Sequence, residues 1–167
     1  MTIFSFYIFD RHCECIYHQD FKRPQRQLRP KVSSKRLSKD GGVTAITEDF
    51  KMVSVEDDAK LVFGVVFSLR NMITKLAGEK EQFFLYRTSK YKLHFYETPS
   101  NLRFVLVTDP EVDSLRIILE QIYIGLYVEY VAKNALAPTE HAGGAGVNNE
   151  LFSLGLDRFL RPLAIFD

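Results

Sequence analysis

The chain has 167 residues, 46% of them hydrophobic, enough apolar mass for one domain with a substantial core. Its formal net charge is only +1, so no whole-molecule field draws it onto nucleic acid. No apolar run approaches the ~18 uncharged residues of a membrane span. The opening MTIFSFYIFD lacks the basic start of a signal peptide, so a cytosolic location is expected.

Ile3–Phe9 is predicted to be a strand with apolar side chains on both parities: Phe4, Phe6 and Ile8 against Ile3, Tyr7 and Phe9. Such two-sidedness belongs to a strand covered on both faces. Asp10-Arg11-His12 turns the chain and Glu14–Phe21 returns as a second strand, making a hairpin. His12, Cys13, Cys15 and His18 lie close enough in sequence to suggest a metal centre. Strand alternation puts Cys13 and Cys15 on one face and His18 on the other, so the group should not close a tetrahedral site. Ordinary strand packing is expected instead.

Lys22–Lys51 holds nine Lys/Arg and three acids, a net of +6, which leaves −5 on the rest of the chain. With Pro24, Pro30, the pair Gly41-Gly42 and no apolar period, Lys22–Val53 reads as a mobile basic insertion. Arg26, Arg29, Lys31, Lys35 and Arg36 are its candidate electrostatic contacts, to anionic lipid or an acidic protein surface. The run lacks the interleaved aromatics that would stack on bases.

Ser54 reads as a helix N-cap, followed by Glu56, Asp57 and Asp58 in the first turn, where the helix dipole favours acids. Leu61, Val62, Val65, Val66, Leu69, Met72, Ile73 and Leu76 form one helical stripe, and Gly78 ends the helix. Phe63 and Phe67 fall beyond the edge of that stripe. Large aromatics on a solvent side are typical interface anchors, so both are candidate subunit-interface residues.

Phe83–Asp109 follows as three strands, Phe83–Thr88, Tyr91–Glu97 and Leu102–Thr108, joined at Ser89-Lys90 and Pro99-Ser100-Asn101. Lys92, His94 and Tyr96 share one parity. A cation, an imidazole and a phenol together could bind an anion, although a half-buried polar strand face is the plainer expectation. No nucleophile has a positioned base, and there is no paired-carboxylate motif or nucleotide fingerprint. Catalysis by this chain alone is not expected, and no cofactor is implied.

Val112–Lys133 is predicted to be a long helix. Leu115, Ile118, Leu119, Ile122, Leu126 and Tyr130 form one face, and Ile117, Ile124, Val128 and Val131 nearly the opposite one. A helix apolar all round is buried on more than one side, which makes Ile117, Ile124 and Val128 further interface candidates. Ala135–Val147, with glycines at Gly143, Gly144 and Gly146, reads as a flexible connection, and about Asn148–Leu160 as a short amphipathic helix. The order β-β-α-β-β-β-α-α gives an α/β (α+β) domain: a five-stranded, mostly antiparallel sheet with helices on both faces.

Four strings carry a resemblance: FDRHCECIYH, DDAKLVFGVVFSLRNMITKL, TSKYKLHFYETPSNLRFVLVTD and IYIGLYVEYVAKNAL. They resemble the Bet-five-type (subunit-one) family of the TRAPP vesicle-tethering complex over roughly Thr2–Phe21 and Asp57–Phe166. The basic insertion and the Gly-rich loop depart from the pattern. The resemblance implies a longin-like three-layer α/β/α fold and a non-catalytic place in a complex that acts between ER and Golgi. It also implies assembly with a second longin-type subunit and a Bet-three-type subunit, into a composite surface that exchanges nucleotide on a Rab GTPase. An adaptor-type small subunit and a small-molecule module at the Lys92–His94–Tyr96 face are the competing readings.

Overall fold

The computed structural model describes residues 2–21, 55–78, 84–138, 141 and 146–163. Ser54 and the basic stretch, with Arg26, Arg29, Lys31, Lys35 and Arg36, lie outside the described residues. The strands are β1 (Ile3–Phe9), β2 (Cys15–Asp20), β3 (Leu85–Arg87), β4 (Lys92–Glu97) and β5 (Arg103–Thr108). They form one sheet in the order β2-β1-β5-β4-β3, with every neighbouring pair antiparallel.

The sheet is apolar on both faces because its central strands alternate two apolar sets. Tyr7, Phe9, Leu93, Phe95 and Val105 pack with Ala59 and Val66 of α1 (Val55–Ala77). Phe6, Ile8, Phe104 and Leu106 pack on the other side. There they meet Leu119 and Ile122 of α2 (Arg116–Ile122) and Phe152, Leu156 and Leu160 of α3 (Glu150–Leu160). Covering both faces is what two-sided strands require.

Two local irregularities depart from simple alternation. A bulge between Ile3 and Ser5 in the β1–β5 ladder lets Ile3 join the Phe6/Ile8 core, although its parity predicts the Tyr7/Phe9 face. A second bulge, in the β1–β2 ladder, pairs Phe9 with Cys15 and Tyr7 with His18. Cys15 and His18 therefore share the α1-facing side, where His18 lies 4.7 Å from the Tyr7 ring. The expectation that they point apart is corrected: the extra residue at Ile16 shifts the alternation by one.

The long second helix is in two parts. Leu115 is the N-cap of α2, and from Tyr123 to Ala132 the helix widens to a π-helix. Lys133 N–H donates to the Val128 carbonyl, five residues back, at 2.9 Å. The wider turn resets which residues face the core. Tyr127 and Val131 are buried, while Tyr130, expected on the core face, is exposed. Asn149 joins this segment to α3. Its side-chain oxygen caps the Leu151 and Phe152 N–H groups at 2.9 and 3.3 Å, and its amide donates to the Tyr130 carbonyl at 2.6 Å.

Candidate interaction surface

On α1 the eight-residue stripe divides in two. At 100° per residue it spans about 140°, wider than the ~100° that an apolar stripe facing a core typically covers. Val62, Val66, Leu69 and Ile73 pack on the sheet. Leu61, Val65, Met72 and Leu76 are exposed, at 61, 37, 50 and 80%. The helix is rotated because Phe63 also reaches the sheet, its ring centroid 5.3 Å from that of Phe9. Phe63 is thus half-buried, whereas Phe67, stacked on it at 5.9 Å, remains 47% exposed.

Of the expected anchors, Phe67 is open to a partner and Phe63 supports it from beneath. The exposed residues that the sequence did not single out as contacts are Leu61, Val65, Met72 and Leu76, all members of the expected stripe. Their signal was the excess width of the stripe. On the other side of the sheet, Ile117 and Ile124 are 69 and 58% exposed, while Val128 is half-buried. Leu151 and Leu154 of α3 add exposed apolar surface.

Beside Phe63 an ion network ties three elements together. Glu97 accepts from Arg70 of α1 at 2.8 Å and from Arg103 of β5 at 3.2 Å. The Arg103 guanidinium lies over the Phe63 ring at 5.9 Å, and its Nη1 reaches the Asp10 carbonyl at 3.4 Å. Arg103 and Glu97 are largely shielded from water, so this network fixes how α1 sits against the first hairpin.

The Lys92–His94–Tyr96 face is filled by the fold. Lys92 Nζ donates to the Val112 carbonyl. His94 accepts the Leu115 N–H on Nδ1 at 3.2 Å, which makes Nε2 the protonated nitrogen that donates to Thr108 Oγ1 at 2.9 Å. The Thr108 hydroxyl in turn donates to the Asp109 carbonyl at 3.1 Å. Burial, with the nearby Lys92 charge, pushes the imidazole down to about 4. Tyr96 packs its ring against Phe104 and Tyr123. These side chains latch the start of α2 onto β4 and β5.

Cys15 and His18, although on one face, make separate contacts. The Cys15 thiol donates to the Tyr17 carbonyl at 3.4 Å and burial pushes it up to about 11, whereas His18 pairs with Asp20 at 2.9 Å. Among the described residues, no three His, Cys, Asp or Glu side chains gather as a metal centre would require. No described helix is long and apolar enough to cross a membrane.

An antiparallel five-stranded sheet between α1 on one face and α2 and α3 on the other, in this chain order, is a longin-like α/β/α domain. The model of the Sybindin-like family matches residues 3–163, and the chain belongs to that family. It is 44% identical over 171 residues to the fission yeast (Schizosaccharomyces pombe) protein named Transport protein particle subunit bet5, covering 99% of this chain and 100% of that one. It is 34% identical over 168 residues to the Homo sapiens protein named Trafficking protein particle complex subunit 1, covering 99 and 97%. The Saccharomyces cerevisiae relative, named Trafficking protein particle complex subunit BET5, is 33% identical over 174 residues, covering 98% of each.

Proposed function

We propose that the chain is a non-catalytic core subunit of a TRAPP-type vesicle-tethering complex, cytosolic and peripheral at the cis-Golgi and ER-derived vesicles. One observation carries most weight. Four large apolar side chains stand in a row on the solvent face of α1, a surface that assembly would bury. Full-length similarity to proteins named as subunits of such a particle supports the same reading.

In this reading Leu61, Val65, Phe67, Met72 and Leu76 on α1, with Ile117, Ile124 and Val128 on the opposite layer, meet neighbouring subunits. The partners are a second longin-type subunit and a Bet-three-type subunit. Placing surfaces on both sides of one stiff sheet suits a chain that holds two neighbours at a fixed spacing. The assembled surface would then bind a Rab GTPase best when its nucleotide site is open. Differential affinity for that state lowers nucleotide affinity without any bond being made or broken by this chain. The basic stretch, through Arg26, Arg29, Lys31, Lys35 and Arg36, would add a peripheral contact with anionic membrane.

Gentle affinity purification followed by mass spectrometry tests the reading. The other core subunits of the complex should co-purify in fixed proportion, and nucleotide release from the GTPase should need the whole assembly. Recovery of large adaptor chains instead would favour an adaptor-type small subunit. Recovery of this chain alone would overturn both readings.

A further inference from the structure

A cleft of about 490 Å³ opens at one end of the sheet. The β1–β2 turn (Asp10, His12), the β4–β5 turn (Ser100, Leu102) and the end of the π-helix (Tyr127, Val131) meet there. Its mouth is bordered by the exposed residues Arg11, His12 and Ser100. Three polar groups in its lining are almost wholly buried, Asp10 at 6% and Tyr127 and His141 at 7% exposure, and of these His141 is engaged in a contact of its own.

Asp10 and Tyr127 are held rigidly, and each keeps one oxygen without a hydrogen-bond partner among the described residues. Asp10 Oδ1 accepts the backbone N–H groups of His12 and Glu14 at 2.8 and 2.9 Å, which fixes the carboxylate within its turn. Its Oδ2 makes no hydrogen bond among the described residues, yet it is not sealed from solvent. The Tyr127 ring is clamped by Phe104, Tyr123 and Phe152, with centroids at 5.7, 6.2 and 6.2 Å. Its hydroxyl likewise has no partner among the described residues and is not sealed. Both residues line the cleft. The phenol is raised by burial, then by Tyr123 and by the negative charge of Asp10.

We propose that this cleft docks a lysine or arginine side chain of a partner protein. Two preorganised oxygens, one of them a carboxylate largely removed from water, call for a charged donor. Leu102, Val131, Ala137 and Pro138 supply apolar walls for the aliphatic stem of such a side chain. A metal ion fits less well, because among the described residues no three metal-ligating side chains converge. Arg11 stands on the rim with its Nε donated to His12 Nε2 at 3.2 Å, and it disfavours a doubly charged guest more than a singly charged one. The choice of a protein as the source of the cation rests on the reading of the chain as an assembled subunit.

The test uses Asp10→Asn, which keeps the Oδ1 acceptor and removes the charge, and Tyr127→Phe, which removes only the hydroxyl. Affinity for the co-purifying core subunits should fall about tenfold or more for Asp10→Asn and about threefold or more for Tyr127→Phe. The double variant should lose less than the product of the two, because one guest contacts both. If Asp10→Asn fails to fold, Tyr127→Phe carries the measurement.

Wild-type affinity in both variants, with the wild-type chain assembling normally, would overturn the proposal and leave the subunit reading standing. If the wild-type chain assembles with nothing, the subunit reading fails and the cleft is tested directly. Butylguanidinium should then shift the Tyr127 ring resonances of the full chain, neutral butylurea should not, and Asp10→Asn should abolish the shift. Equal response to both probes, or to neither, would overturn the proposal.

Discussion

Lowering the pH from 7.5 to 5 should weaken the fold through His94, by an amount that follows from its surroundings. The imidazole ordinarily titrates at 6.5 and is held at about 4 in the folded chain by burial and by Lys92. As pH falls through 6.5 the unfolded chain takes up a proton that the folded chain refuses, so the unfolded state gains. The contribution is fully present above pH 6.5 and is lost progressively down to about 4. Between pH 7.5 and 5 the loss is about 2 kcal/mol, and it approaches 3 kcal/mol near pH 4. The structural reason is that protonating Nδ1 breaks its bond from the Leu115 N–H. Carboxylates titrate over the same range, so the informative quantity is the difference between wild type and His94→Asn. Asparagine can still accept from Leu115 but loses Thr108, which costs about 1–3 kcal/mol at pH 7.5. Urea unfolding of both proteins at pH 7.5, 6 and 5 should show that gap shrinking by about 2 kcal/mol as pH falls. A gap that stays constant across the range would refute a neutral, buried His94 in this latch.

Other substitutions separate fold from assembly. Phe63→Asp should destabilise the isolated chain by about 2–4 kcal/mol in urea unfolding, because it strips the ring from Phe9 and places a carboxylate there. Phe67→Asp should leave that stability within about 1 kcal/mol and weaken binding to the neighbouring subunits, read by pull-down. Gly146→Ala would drive a Cβ into the Ile16 backbone carbonyl. It should cost about 1–3 kcal/mol and raise hydrogen exchange at Val147, whose N–H donates to that oxygen at 2.6 Å. Glu97→Gln should leave the shielded Arg103 without its ion partner and lower stability by about 1–3 kcal/mol, with little recovery in high salt.

The sheet and its layers were legible because both depend on short-range pattern. Alternation in Ile3–Phe9 showed a strand covered twice, and the spacing of turns showed the three-strand run. What stayed hidden depends on single inserted residues and on competition between faces. The bulge at Ile16 reverses the side on which His18 emerges, and nothing in that residue's identity announces it. The switch from α to π at Tyr123 exchanges Tyr130 for Tyr127 and Val131 in the core, which a fixed 100° step cannot foresee. On α1, Phe63 outcompetes Leu61 and Leu76 for the sheet because its larger ring reaches Phe9. The surface left exposed lies within the same stripe as the core residues, so helical periodicity alone does not separate the two.

In the proposed function the chain works by being assembled, with the solvent face of α1 among its contacts. Native mass spectrometry of the chain mixed with the other core subunits, for wild type and for Met72→Asp, tests it most directly. The wild-type chain should enter one defined complex at micromolar concentration, and Met72→Asp should fold but be largely left out. A wild-type chain that stays monomeric in the mixture, or a Met72→Asp variant that assembles as well as wild type, would contradict it.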